Sequence, residues 1–158
     1  MAIPTSTDYS TRKRDIHIFQ GVDITKPATI TPSFGNISNY CAGIQKLVQR
    51  YAIALLTVIG SQPEFPTFGT DLLTELSNTN LTIDRTRLTH IFNFANFEVI
   101  SAFRQYQANT DGLLDDEQLD TATLQDIVVS NDGKVSLIVQ IIPVAEDAIT
   151  FLIPLPKI

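Results

Sequence analysis

The stretch TLQDIVVSNDGKVSLIVQII, residues 123–142, decides the fold, because apolar and polar residues alternate along both of its halves. Between the halves, Asp132-Gly133 is a dipeptide typical of the tight turn in a β-hairpin. The stretch therefore predicts two antiparallel strands. A third run with the same alternation, residues 147–155, ends at two closely spaced prolines, which favours a strand end or sheet edge. One face of the second strand would carry four apolar residues: Val135, Leu137, Val139 and Ile141.

Residues 37–59 are predicted to form the first helix, because apolar residues recur there every three or four positions. Asn36 or Ser38 can cap its start, and Gly60 can provide the left-handed residue that ends it. Cys41, the only cysteine, falls on the apolar side, which favours a core position over a nucleophile. Three polar residues lie off the apolar side: Lys46, Gln49 and Arg50.

Two further helices are predicted downstream. A short one begins at Thr70 or Asp71 and ends near Ser77, and a long one covers residues 83–106. The long helix is apolar on two sides, so we expect both sides to be covered. One side would pack inside the chain, and the other would either do the same or meet another protein. The second side carries Phe94, Phe97 and Ile100.

Together these elements predict an α+β fold, in which two main helices and a short one pack on one face of a small antiparallel sheet of three to four strands. The domain would span residues 36–158. Residues 1–35 are predicted to be an extended N-terminal arm, in which only 15–24, with Ile16 and Ile18, alternates well enough to form a strand. Such an arm needs the body of its own subunit, or of a neighbour, to order it.

The composition favours a subunit of an assembly and argues against nucleic-acid binding. Only 18% of the 158 residues are charged, against a typical value of about 25%, so we expect other chains to cover part of the surface. The net charge of −6 opposes binding to phosphates. The one basic cluster, Arg12-Lys13-Arg14, lies in the arm and is either solvated or used for docking. The sequence has no signal-peptide core and no membrane-spanning apolar run, so we expect a cytosolic protein or one that leaves the cytosol by another route.

The residue types predict packing, turns and strand edges, and no catalytic, cofactor or metal site. His17 and His90 are the only histidines and are far apart in the sequence. The segment 107–118 superficially fits a calcium loop, but Gln107 and Gln118 stand where calcium needs a charged carboxylate and a bidentate glutamate. We therefore interpret this segment as an acidic, solvated loop, and we expect a protein that is not an enzyme.

Between the first two helices, residues 60–69 form a connector that begins and ends with glycine. Pro63 and Pro66 restrict its backbone, and Phe65 and Phe68 can insert into the core from either side. Nothing in it resembles a phosphate-binding loop, because the glycines are too few and no lysine follows. We interpret it as a stiff connector that holds two helices in a fixed pose.

The connector and its flanks resemble the baseplate wedge and sheath-initiator family of contractile phage tails and related injection systems. Members of that family read L-x-T-P-x-G-E-R, a short spacer, P-E-F-G and then an apolar helix. The resemblance covers residues 37–155 and includes the order of the helices and closing strands. A distant member is indicated, because Ser61-Gln62 replaces Glu-Arg, Thr67 replaces an acid, and a Glu-Pro-Arg tripeptide before the first C-terminal strand is missing. The matching residues are Leu56, Thr57, Gly60, Pro66, Phe68 and Gly69.

The resemblance implies a structural virion protein of the tail baseplate, assembled in the host cytoplasm and present in many copies per particle. Its partners would be other baseplate wedge proteins, the tail sheath protein, and tail tube or hub proteins, with no nucleic acid, membrane or cofactor. A free strand edge can accept a partner's strand, which is how the first sheath ring would be initiated. The alternative is a cytosolic adaptor that binds a regulator outside any particle. The candidate interface residues are Ile16, Ile18, Phe94, Phe97, Ile100, Ile149, Phe151 and Ile153.

Overall fold

The α+β fold predicted from the sequence is confirmed by a computed structural model, which describes residues 15–16, 40–77, 84–130 and 134–155. Within these residues, three α-helices accompany a two-stranded and a three-stranded antiparallel sheet. In chain order the elements are β1 (Asp15–Ile16), β2 (Tyr40–Cys41), α1 (Ile44–Leu56), α2 (Leu72–Ser77), α3 (Arg85–Ala108), a 3-10 turn (Asp115–Glu117), β3 (Leu119–Val129), β4 (Val135–Pro143) and β5 (Ile149–Pro154).

The larger sheet has the strand order β3-β4-β5, with β4 in the centre. Leu137 of β4 pairs with Ile127 of β3 and with Ile153 of β5, and these side chains are 1–3% exposed. The apolar face predicted for β4 is therefore its inner face. As expected, β5 is an edge strand that ends in proline. The turn predicted at Asp132-Gly133 lies outside the described residues.

The helices cover one face of this sheet, and the hydrophobic core lies between the two layers. Helix α3 packs along β3, while α1 and α2 pack on α3. Tyr51 of α1 meets Phe151 of β5 edge to face, with 6.2 Å between the ring centroids. Each large apolar side chain removed from water in this way contributes about 1.5–3 kcal/mol. Side chains at the centre of the core include Leu47, Leu55, Phe92, Val99, Val139 and Ile141.

Helix α1 begins at Ile44, later than the apolar period predicted. Tyr40 and Cys41 instead form β2, in which Cys41 pairs with Asp15 of β1. Gly43 then leads the chain into the helix with a φ of 60°, a value that most other residues adopt only with strain. The helical period of the sequence could not reveal this, because β2 depends on a pairing partner far away in the chain.

Of the arm strand predicted over 15–24, the structure describes residues 15 and 16, which pair with β2. Ile18 and the predicted caps Asn36 and Ser38 lie outside the described residues. Cys41 is 1% exposed, which confirms its core position, and burial raises the pKa of its thiol. The thiol is therefore held in its protonated, poorly reactive form.

An ion pair anchors the start of α1. The side chain of Lys46 is 11% exposed and its amino group lies 3.6 Å from the Glu117 carboxylate, which belongs to a side chain that is 8% exposed. Glu117 also accepts a hydrogen bond from the Gly43 N–H at 3.1 Å, and a carboxylate is favourable at this end of a helix. The prediction of a solvated acidic loop is therefore wrong at Glu117, because its partners come from α1.

Helix α3 is the long helix that the sequence predicted, and Asp84 caps it by accepting a hydrogen bond from the Thr86 N–H at 2.9 Å. Buried Asn96 ties this helix to α1 and to β3. The Tyr51 hydroxyl donates to Asn96 Oδ1 at 2.6 Å, and Asn96 Nδ2 donates to the Ala122 carbonyl at 2.8 Å. None of the described helices is long and apolar enough to cross a membrane.

Candidate functional site at the connector

Backbone hydrogen bonds hold the two ends of the connector against each other. The Thr70 N–H donates to the Thr57 carbonyl at 2.8 Å, and the Ile59 N–H donates to the Thr70 carbonyl at 3.1 Å. These bonds accompany an isolated parallel bridge at this point of the chain. Within the loop, the Gly60 N–H donates to the Pro66 carbonyl at 3.1 Å. The end of α1 and the start of α2 are therefore joined through the main chain as well as through side-chain packing.

Gly69 is required by space as well as by conformation. Its φ is 112°, and a Cβ at this position would lie 2.4 Å from the carbonyl oxygen of Thr57 and 3.0 Å from the carbonyl carbon. Gly60 also has a positive φ, 77°, but no atom lies within 4 Å of the place where its Cβ would be. Helix α1 ends at Leu56 with Thr57 as its C-cap, so Gly60 lies in the turn beyond the helix, and the prediction that Gly60 ends the helix is wrong.

Two threonine hydroxyls strengthen the junction. Thr57 Oγ1 donates to the Ile53 carbonyl at 2.7 Å, and Thr70 Oγ1 donates to the Leu55 carbonyl at 2.8 Å. The Thr70 hydroxyl also accepts a hydrogen bond from the Leu72 N–H at 3.2 Å. Thr70 thus satisfies the Leu55 carbonyl in the last turn of α1, whereas the Ile53 carbonyl accepts from both the hydroxyl and the N–H of Thr57. Thr70 in addition contacts the first turn of α2, which confirms the predicted start of that helix.

The outer part of the connector is exposed to solvent, including Pro63 and Pro66. Two tight turns shape it: the Phe65 N–H donates to the Gln62 carbonyl at 3.1 Å, and the Phe68 N–H donates to the Phe65 carbonyl at 3.0 Å. Phe68 packs on the core, as predicted. The expectation that Phe65 also inserts into the core is wrong, because this ring is 64% exposed. The connector therefore presents an aromatic side chain to solvent from a backbone that is held in place.

An apolar groove of about 410 Å³ lies between the connector, α1 and α3. Phe65 and Phe68 form its connector wall. Arg50 is the one charged residue among the described residues that line it, and its guanidinium carbon lies 4.1 Å from the centroid of the Tyr106 ring. A hydrogen bond from Arg50 lowers the pKa of the Tyr106 hydroxyl. Such a groove suits apolar side chains of a partner. Its helical walls include Ile53, Ala54, Val99, Ala102 and Phe103.

The predicted interface residues separate into exposed and buried groups. Phe94 and Phe97 are 63% and 70% exposed on α3, so the alternative in which they pack inside the chain is wrong. Ile100, on the same helix, packs against the core. Phe151 and Ile153 are 3% and 2% exposed, so their side chains belong to the core, and the interface predicted at this strand would use its main chain. Together with Ile149 they form the apolar face of β5, which packs inward.

The edge of β5 is a second surface for a partner. No strand of the described residues pairs with the outer side of β5. Ile149 at its start packs against the core, like the inner residues of the strand. Ile18 and the side chain of Ile16 lie outside the described part, so their predicted role in an interface stays a prediction. A partner's strand can thus pair with the β5 backbone, although the inner side chains of β5 are occupied.

In the part of the chain that the structure describes, no three His, Cys, Asp or Glu residues are placed to hold a metal ion. No local pattern indicates the pair of Arg50 and Tyr106, because the two residues come from different helices. It did point to the connector, through its two glycines and its prolines. No protein-family model, curated protein or solved structure is detectably similar to this chain.

Proposed function

We propose that this protein is a structural baseplate wedge component of a contractile phage tail or a related injection machine. It binds other wedge proteins and initiates the tail sheath by strand addition. The observation that carries the proposal is the closed connector. Two residues that match the family pattern depend on each other there: the Thr57 carbonyl accepts the closing bond, and Gly69 leaves room for that carbonyl. A third, Gly60, adopts a positive φ in the adjoining turn. Gly69 in particular is required there, because any other residue would place a Cβ against the Thr57 carbonyl.

The closed connector suits a protein that sets the angle between its neighbours. In an assembly of many copies, an angular error in one subunit is repeated in all the others. Main-chain bonds of 2.8 and 3.1 Å fix the junction of α1 and α2, and Pro63 and Pro66 restrict the exposed backbone between them. A wedge protein bound at the apolar groove would therefore meet a surface with little freedom to move.

The β5 edge supports strand addition by the sheath protein. Phe151 and Ile153 anchor β5 in the core, so the outward main-chain groups of this strand have a fixed position. A partner strand that pairs there gains main-chain hydrogen bonds, while the exposed side chain of Thr150 can contribute to specificity. The negatively charged chain needs no contact with nucleic acid in this role.

Electron microscopy of tails assembled without this protein tests the proposal. Negative staining should reveal tubes or baseplates that lack an ordered sheath, and supply of the wild-type chain should restore it. Normal sheaths on intact baseplates in the absence of the protein would refute the proposal.

A second candidate is the cytosolic adaptor, which the exposed Phe65 beside an apolar groove also suits. Mass spectrometry of purified particles separates the two functions. A chain built into the baseplate is present in the particles in constant proportion to the other wedge proteins. An adaptor is found only in the soluble fraction of the infected or producing cell.

Replacing Pro63 and Pro66 by alanine tests the role of the connector in setting the pose. The free energy of unfolding should fall by no more than about 2 kcal/mol, because both residues are exposed and each proline contributes only about 0.4–1 kcal/mol by restricting the unfolded chain. The fraction of tails with a complete sheath should fall clearly. Glu64→Ala, between the two prolines and equally exposed, is the matched control and should assemble normally. Proportionate losses of stability and assembly would contradict a role in setting the pose.

A further inference from the structure

A second surface, away from the groove, combines exposed aromatic rings with an adjoining hollow. Phe94 and Phe97 are neighbours on the surface of α3 and are 63% and 70% exposed. Beside them, a hollow of about 280 Å³ lies between α2 and the first half of α3, with Leu72 and Ile91 in its apolar wall. The name α2–α3 hollow is used below for this cavity together with the side chains of Phe94 and Phe97. Large exposed apolar groups that adjoin a cavity are typical of an interaction site.

Two carboxylates and His90 are the titratable groups that line the α2–α3 hollow, and no lysine or arginine is among the described residues that line it. Asp71 and Glu75 line the hollow, and Glu98 follows Phe97 on α3. Glu98 Oε2 is buried without a hydrogen-bond partner in the described part of the chain. Burial, and then the negative charge of Asp71, raise the pKa of Glu98. The chemistry that would complement this surface is a cation on a long apolar stem.

The chain has one segment with this chemistry close to a described element. Arg12-Lys13-Arg14 is its only run of three cations and ends directly before β1. The basic segment leads into β1, which pairs with β2 beside the first residues of α1. The hollow begins at α2, beside the last turn of α1, where Thr70 bonds the Leu55 carbonyl. The 13 residues of α1 separate these two points by about 20 Å. The backbone of three residues spans at most about 10 Å, which is less than this separation, so we take the hollow of a neighbouring copy as the target.

We propose that Arg12-Lys13-Arg14 of one copy dock in the α2–α3 hollow of a second copy. Their alkyl stems lie on Phe94 and Phe97, and their charged groups face the carboxylates around the rings. This contact rests on the proposed function for bringing many copies together. Because the basic segment and the hollow are different surfaces, the contact is head-to-tail, and its repetition closes a ring when the rotation between copies permits.

Sedimentation velocity of the full chain tests the contact. The wild-type chain should associate increasingly at concentrations up to about 200 µM, where contacts with micromolar dissociation constants are populated. Association should weaken as salt rises from about 0.05 to 0.5 M, because ions screen exposed charges. Arg12→Glu combined with Lys13→Glu and Arg14→Glu reverses the basic segment and should weaken association at least about tenfold. A wild-type chain that remains monomeric at all these concentrations overturns the proposal.

A second variant removes the aromatic side of the contact. Phe94→Ser combined with Phe97→Ser should abolish association while preserving the thermal unfolding midpoint, since both rings are exposed. Val128→Ser is the control, because Val128 is an exposed apolar side chain, at 39%, on the outer face of the sheet. The control should associate like the wild-type chain. An equal loss in the control would mean that association depends on general apolar exposure, and would overturn the proposal.

Mixing the two defective variants identifies a head-to-tail contact. The charge-reversed variant keeps an intact hollow, and the serine variant keeps an intact basic segment, so the mixture should form a one-to-one dimer although each variant alone is monomeric. Normal association of the charge-reversed variant would indicate that the aromatic side chains of two copies contact each other directly, and would overturn the proposal. These measurements use the isolated chain, whereas the baseplate function is decided by microscopy of particles. A monomeric wild-type chain would therefore refute the contact and leave the particle experiment to judge the function.

Discussion

Replacing Gly69 by alanine should destabilise the protein much more than a change of one methyl group usually does. The new Cβ would lie 2.4 Å from the Thr57 carbonyl oxygen and 3.1 Å from the Ile59 nitrogen. All of these close contacts are backbone atoms, so no side chain can rotate away to relieve them. The connector has to open at the point where the Thr70 N–H bonds Thr57 at 2.8 Å.

The expected cost is about 3 kcal/mol. A positive φ costs a residue with a Cβ about 1–2 kcal/mol. Each of the two main-chain hydrogen bonds that close the connector contributes about 1 kcal/mol when it is lost or stretched. A protein of this size has a stability of about 5–15 kcal/mol. The midpoint of thermal unfolding should therefore fall by roughly 6–12 °C, at about 2–4 °C per kcal/mol.

Urea unfolding followed by circular dichroism measures this cost, provided that the dependence of the free energy on urea is the same in both proteins. Gly60→Ala is the matched control: Gly60 also has a positive φ, 77°, but its Cβ would meet no atom within 4 Å. The control should lose only about 1 kcal/mol. Losses for Gly69→Ala and Gly60→Ala that agree within about 0.5 kcal/mol would refute the close-contact argument.

Three further predictions concern the core. Tyr51→Phe leaves Asn96 Oδ1 without its donor at 2.6 Å and should cost about 1–3 kcal/mol at neutral pH. Burial raises the pKa of Tyr51, so above a pH of about 10 the phenol ionises in the unfolded chain before it does in the folded protein, and wild-type stability should decline. The difference in unfolding free energy between the wild type and Tyr51→Phe should therefore become smaller as the pH rises. Glu117→Gln should lower the free energy of unfolding by about 2 kcal/mol, because the ion pair of Glu117 with Lys46 is buried. Asp126→Asn should lower it by less than about 0.5 kcal/mol, because the side chains of its ion pair with Arg85 are 56–64% exposed. Urea unfolding of both variants measures these losses. The thiol of Cys41, 1% exposed, should react with a thiol reagent only as fast as the protein opens, and immediate labelling of the native protein would contradict its burial.

Local patterns in the sequence were sufficient to predict those helices and strands in which apolar residues recur at one regular spacing. The alternation in β4 identified its inner residues, because a strand that is covered on one face has only two ways to orient its side chains. The length of α3 was predictable for a similar reason: its apolar residues recur at helical spacing, and Asp84 provides a cap.

The features that the sequence could not provide depend on partners distant in the chain. Tyr40 and Cys41 continue the apolar period of α1, and only their pairing with β1 makes them a strand. Lys46 lies off the apolar side of α1, yet Glu117 from the 3-10 turn makes its buried position favourable. The two phenylalanines of the connector looked equivalent in sequence, and only the packing of the three helices determines that Phe68 faces the core.

The connector divides into two parts with separate constraints. Thr57, Gly69 and Thr70 are fixed by hydrogen bonds and close contact, while residues 61–67 are all exposed. Substitutions in the exposed part therefore leave the folded scaffold almost untouched, and the fold exerts little selection on them. Substitutions at these seven exposed positions can therefore change which partner the protein binds while the fold stays the same.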